Sequence, residues 1–183
     1  MSDAKKVTVS KPKVGGAVYR APLGTTPPTD ATTALDKAFK SLGYISEDGL
    51  TNSNSPESDS IPAWGGDKVL YYQTAKDDTF GFMLIEAMNE DVLKTVYGDK
   101  NVTGTLAGGL TVKATAVEAA DSVWVVETIL RGGAVKRIVI PCAHITEIED
   151  IVYKDDEPLG YGVTLGATPD DSGVTHYEYI KGA

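Results

Sequence analysis

Cysteine occurs once in the chain, at Cys142, and histidine twice, at His144 and His176. One thiol cannot close an intrachain disulfide, and these three residues have neither the number nor the spacing of a thiolate metal cluster. No apolar stretch approaches the roughly 18 residues that a bilayer-spanning helix needs. The opening MSDAKKVTVSKPK is polar and basic, without the apolar segment of a secretory signal, so synthesis in a cytosol is expected. Basic charge is short as well: 17 Lys and Arg stand against 26 Asp and Glu, a net charge of −9. Residues 1–13 hold four lysines against Asp3, a balance of +3, which leaves −12 on the rest. Nucleic-acid affinity rests on Lys and Arg neutralising phosphates, so a body of this sign repels a phosphate backbone. No P-loop, dinucleotide fingerprint or G-x-S-x-G elbow occurs. The runs Asp155-Asp156-Glu157 and Asp170-Asp171 lack the alternate positions, central glycine and distal glutamate of a calcium loop, and read as solvated turns. The expectation is a non-enzyme with no cofactor and no metal.

What the chain does have is strand material. With 183 residues, 42% of them hydrophobic, a single domain spanning 1–183 with a real core is expected. Residues 1–13 read as a flexible N-terminal arm, and AVYRA (17–21) as a strand. TTALDKAFKSLG (32–43) carries a helical pattern: Thr33 as cap, Asp36 in the first turn, Leu35, Phe39 and Leu42 on one face, Gly43 as stop. A short irregular turn is the competing reading. DKVLYYQTAKDDTFGFMLIEA (67–87) reads as a hairpin turning at Ala75–Asp78, with Phe80, Phe82 and Leu84 on one face. NEDVLKTVYG (89–98) is a capped helix with an apolar stripe at Val92, Leu93, Val96 and Tyr97. LTVKATA (110–116) alternates as a strand, and VWVVETIL and AVKRIVI flank Arg131-Gly132-Gly133 as a hairpin. HITEIEDIVY (144–153) fits a bulged strand or a short helix, and LGYGVTLGA and THYEYI close the chain as strands. The fold class is mainly β: a sandwich or open barrel with one or two short flanking helices.

One segment stands apart. SLGYISEDGLTNSNSPESDSIPAWGGD is almost wholly polar between Tyr44 and Trp64, and residues 48–66 read as a long loop serving contacts between copies of the chain. Trp64, flanked by Pro62 and Gly65-Gly66, packs either back onto its own sheet or into a neighbour.

GAVYRAPLGTTPPTDATTAL, LGYISEDGL, AWGGD and TFGFMLIEAMNEDVLKTVYG, in that order and spacing, resemble the major tail protein, or tail tube protein, of long-tailed, non-contractile bacteriophages. The resemblance covers residues 14–104 well, and the C-terminal half in character. It implies a β-sandwich or barrel-like subunit with a flanking helix, self-assembled as hexameric rings stacked into a hollow tube in the virion tail. It also implies partners beyond the chain itself: a tape-measure protein inside the tube and tail-terminator and distal-tail proteins at its ends. DNA passes through the lumen without specific binding, and no membrane insertion is implied. Relatives that append an immunoglobulin-like C-terminal domain differ from this chain, for which none is expected. Lys5, Lys6, Tyr44, Asp48, Pro62, Trp64, Gly65, Phe80 and Phe82 are the expected contacts between copies. The rival class is a monomeric β-sandwich binding or capsid-decoration module, with Tyr71, Tyr72, Tyr161 and Tyr177 or Tyr179 as a platform.

Overall fold

The computed structural model describes residues 2–183, apart from the Lys5 side chain. In chain order the strands are β1 (Ser10–Pro12), β2 (Val18–Pro22), β3 (Lys40–Ser41), β4 (Ile45–Pro62) and β5 (Lys68–Leu84). They continue with β6 (Val102–Thr105), β7 (Gly109–Val112), β8 (Ser122–Leu130), β9 (Val135–Ile148), β10 (Tyr161–Ala167) and β11 (Tyr177–Lys181), and α1 (Glu90–Tyr97) lies between β5 and β6. Nine strands form one antiparallel sheet in the order β3-β2-β8-β9-β10-β5-β4, with β1 also on β8 and β11 also on β9; β6 and β7 form a separate hairpin.

The sheet curls until its two ends share one stretch of chain. Leu42 donates its N–H to the Val18 carbonyl at 2.9 Å, on the β2 side. Two residues on, the Tyr44 carbonyl accepts from Ile85 at 3.2 Å, just past β5. Residues 40–45 therefore bridge the far edges of the sheet, which makes it a nearly closed barrel. Gly43 sits at the joint with φ +73°, and a Cβ there would lie 1.9 Å from the Glu86 carboxyl carbon, so glycine is required. Glu86 in turn accepts from the Tyr44 N–H at 2.9 Å and from the Asn89 side chain at 2.9 Å.

Two apolar layers result. Inside the curl, Val18, Phe80, Phe82, Leu84, Trp124, Val126, Ile140, Val163 and Leu165 pack with Val92, Leu93 and Val96 of α1. Outside it, Ala21, Val123, Val125 and Val139 pack under Phe39. The run VWVV in β8 is apolar throughout because Trp124 and Val126 face one layer while Val123 and Val125 face the other. Trp124 also donates its indole N–H to the Ala143 carbonyl at 3.1 Å.

The α1 prediction holds: the Asn89 side chain accepts from the Asp91 N–H at 3.0 Å, and Gly98 closes the helix onto the Lys94 carbonyl at 2.9 Å. The hairpin around Arg131-Gly132-Gly133 also stands, and the strands expected over 159–167 and 175–180 are found as β10 and β11. In the 144–153 segment the bulged-strand reading holds as far as Ile148, since β9 slips register against β10 between Ile145 and Glu147, while residues 149–153 lie outside the strand.

Five expectations are corrected. Residues 32–43 form no helix. Asp30 instead accepts from the backbone N–H groups of Thr32 and Thr33, both at 2.6 Å, and Asp36 from that of Ala38 at 2.8 Å. The buried Arg137 takes the carbonyls of Asp30 and Thr33 at 2.8 and 2.9 Å, one of which the proposed helix would have used itself. Ala75–Asp78 is no turn, because β5 runs through it unbroken. Residues 48–66 are mostly strand, since β4 pairs with β5 as far as Pro62↔Lys68, leaving only residues 63–67 as loop. Finally, β1 anchors the N-terminal arm on β8, and the strand expected over 110–116 ends at Val112.

Candidate assembly surface

The long hairpin of β4 and β5 divides into two parts. From Thr79 to Leu84, β5 lies between β4 and β10, and Phe80, Phe82 and Leu84 point into the core. Before Thr79, β5 pairs with β4 alone among the described residues. Residues 53–79 therefore leave the body as a two-stranded arm, nine residue steps long on the β4 side, or about 30 Å at strand rise. A lone hairpin of this kind is marginal in water, and here both of its edges offer unpaired backbone groups. Nearly every residue of the arm beyond Asp78 is exposed.

The apolar residues of the arm crowd toward its end. Ile61 and Leu70 are directly paired, so they share one face, while the neighbouring Val69 and Tyr71 lie on the other; all four are about half exposed or more. At the very end, Ala63 donates to the Asp67 carbonyl at 2.7 Å and Gly66 to the Ala63 carbonyl at 3.0 Å. Gly65 and Gly66 supply the positive φ angles, +110° and +98°, that this tight reversal requires. Trp64 rides on that turn with a relative exposure of 106%, so it does not pack back onto its own sheet.

At the root, where the arm leaves the body, Asp78 is buried and fully engaged. Its carboxylate accepts from Asn52 Nδ2 at 2.8 Å and from Thr175 Oγ1 at 2.6 Å, and pairs with His176 Nδ1 at 2.5 Å. Burial pushes the Asp78 carboxyl pKa up, but the hydrogen bonds from Thr175, His176 and Asn52 outweigh it and leave it below the ordinary carboxylate value. The His176 ring also stands edge-on to Phe80, with centroids 5.3 Å apart. These contacts tie the arm's root to the loop before β11. Nothing in the sequence announces them, because Asp78 and His176 are 98 positions apart.

Pro62, Trp64 and Gly65 thus meet at the arm tip as one unit. Asp48 lies at the other end, in a bulge where four residues, 46–49, intervene between the pairs Ile45↔Leu84 and Leu50↔Phe82. Tyr44 is 74% exposed beside the barrel joint. Lys6 is exposed in a short 3-10 turn, Ala4–Lys6, and the Lys5 side chain lies outside the described residues. Phe80 and Phe82 are corrected: at 0% and 6% exposure they belong to the chain's own core and are closed to another copy. The tyrosine platform is not assembled either. Tyr161 is buried, Tyr177 and Tyr179 stack on each other over the outer layer, and Tyr71 and Tyr72 point to opposite faces of the arm.

Among the described residues, no cluster of three or more His, Cys, Asp or Glu is placed to hold a metal ion, and no helix is long and apolar enough to cross a membrane. What the described surface offers is strand edge and exposed apolar side chains on an arm, which is material for association. A search of curated proteins finds no match. Against family models, residues 7–183 match the one described as phage tail tube protein, nearly the whole chain. A curled antiparallel sheet with one flanking helix and a projecting two-stranded arm is thus the form taken by a chain that belongs to the phage tail tube protein family.

Proposed function

We propose that copies of this chain close into hexameric rings, and that the rings stack into the hollow tube of a virion tail. The observation that carries this is the arm: about 30 Å of two-stranded ribbon, open along both edges, with apolar side chains on both faces. Such a ribbon is sealed when identical neighbours add their strands to its edges, which also removes the aggregation hazard of an open edge. The tube encloses a tape-measure protein during assembly, is bounded by tail-terminator and distal-tail proteins, and later conducts DNA. The arm itself exposes four acids (Glu57, Asp59, Asp67 and Asp77) against Lys68 and Lys76. A wall with a net acidic balance keeps phosphates moving, because its acids outweigh the few lysines that could displace their counterions. Synthesis takes place in the host cytoplasm.

The test replaces residues 56–76 by Asn-Gly, a two-residue turn suited to the register Ser55↔Asp77. The shortened chain is expected to fold with its barrel intact and to form no tubes by negative-stain microscopy. Normal tubes from it would refute the assembly role of the arm.

A further inference from the structure

Beside the root of the arm the barrel surface opens into a groove of about 710 Å³. Its walls include Ile45, Leu50, Val126, Leu130, Ile138 and Ile180, drawn from β4, β8, β9 and β11. Val126 and Ile138 are buried, Ile45, Leu50 and Leu130 are half-buried, and Ile180 is 62% exposed, so the groove has an apolar floor and an open mouth. Charge of both signs rims it, with Lys11 from β1 and Glu47 and Asp48 from the bulge at residues 46–49.

We propose that this groove receives the Trp64 tip of another copy's arm. The proposal rests on the reading of the chain as a self-assembling tube subunit. Three observations commit it to that occupant. Trp64 is the most exposed of the large apolar side chains and is held out on a hydrogen-bonded turn, ready to insert without first being ordered. The groove lies at the arm's root and the tip about 30 Å away along the ribbon, so a chain does not fill its own groove. Asp67 and Lys68 follow Trp64 and give the tip one charge of each sign, to meet Lys11 and the pair Glu47 and Asp48 at the mouth. A volume of this size lies within the range of drug-sized pockets and accommodates an indole together with the flanking Pro62 and Ala63.

Tip and groove are different patches, so the contact is heterologous. It repeats from copy to copy instead of ending at a dimer, as a ring or a tube requires. A tryptophan in an apolar pocket is also the kind of anchor that dominates association energy. Asp48 enters through the rim of the acceptor, and Pro62, Trp64 and Gly65 through the donor, so one contact gathers residues from both ends of the same hairpin.

The test assembles tubes from unlabelled chain carrying Trp64→p-benzoylphenylalanine mixed with nitrogen-15-labelled wild-type chain, irradiates them, and maps cross-linked peptides. The expected product joins the tip peptide of one copy to a peptide from 45–52, 126–138 or 178–180 of a labelled copy. Tip-to-tip products, or products confined to other segments, would overturn the groove as acceptor. Ile180→Lys supplies an independent arm, because its side chain is already exposed and the barrel does not depend on it. Its melting temperature is expected to stay unchanged while the concentration needed for tubes rises at least about tenfold. Unchanged tube formation by Ile180→Lys sinks the groove while leaving tube assembly standing. Failure of the wild-type chain to form tubes under any nucleating condition sinks the reading on which the groove depends.

Discussion

The two halves of β5 make an instructive pair. Between Thr79 and Leu84 it is a barrel strand with β4 on one side, β10 on the other, and Phe80, Phe82 and Leu84 in the core. Between Lys68 and Asp77 the same strand, with the same partner, has no sheet around it and no core beneath it. Backbone pairing is continuous across the boundary, so pairing alone does not separate them. What changes is burial, and it changes at Asp78, where the carboxylate gathers Asn52, Thr175 and His176. One half of the hairpin stabilises the monomer. The other adds no core to the monomer, and under the proposed assembly its use lies between copies.

Substitutions at matched places along this hairpin give the contrast numbers. Phe80→Ala removes a fully buried ring and is expected to cost about 3–5 kcal/mol in denaturant unfolding, enough to threaten the fold. If that loss came out near zero, the inner half would not be core. Arg137→Ala comes close behind. It leaves the buried Glu127 carboxylate with Lys13 but without its guanidinium partner, and frees the carbonyls of Asp30 and Thr33, at a cost of about 3–5 kcal/mol in the same assay.

Asp78→Asn probes the boundary itself, and about 1–3 kcal/mol is expected from the weakened hydrogen bonds. Its pH dependence has a definite sign. A carboxyl whose folded pKa lies below the unfolded value adds stability that is fully present above the unfolded pKa, about 3.9, and is lost as pH falls through the folded pKa. Thermal unfolding followed from pH 6 down to pH 2 is therefore expected to show a shallower acid decline for Asp78→Asn than for the wild type. Equal declines would remove Asp78 from the acid response.

Trp64→Ala is the inverse of Phe80→Ala: within about 0.5 kcal/mol of wild type in unfolding, yet strongly impaired in tube formation by light scattering. A large drop in stability with normal tubes would place Trp64 in a core after all. Smallest of all is Tyr71→Ala on one exposed face of the arm, expected to move monomer stability by no more than about 0.5 kcal/mol.

Local chemistry made part of this legible in advance. Asn89, the first-turn acids and Gly98 announce α1 because a cap acts within a few residues of itself. Arg131-Gly132-Gly133 announces its hairpin for the same reason. The helix expected at 32–43 does not form, although its periodicity is genuine, because Asp30 and Asp36 bond the local backbone N–H groups and Arg137, about a hundred positions away, takes the Thr33 carbonyl. The polar stretch 51–60 concealed a strand, since serine and asparagine carry little β-propensity and the ladder to β5 supplies what they lack. The tip residues Pro62, Trp64 and Gly65 stand out in the sequence but leave open which way Trp64 packs, whereas Phe80 and Phe82 turn out to be the chain's own core, because alternation marks a buried face without saying what buries it.

The order of residues along the chain, taken alone, decided the β-rich class, the capped helix, the acidic balance and an unusual excursion ending in a tryptophan. Each depends on near neighbours or on composition. Folding in three dimensions decided that the excursion is half of a ribbon, that the barrel closes through residues 40–45, and that an apolar groove lies at the ribbon's root. Those features join segments tens to more than a hundred residues apart, and no local propensity records such a pairing before the chain has closed its loops.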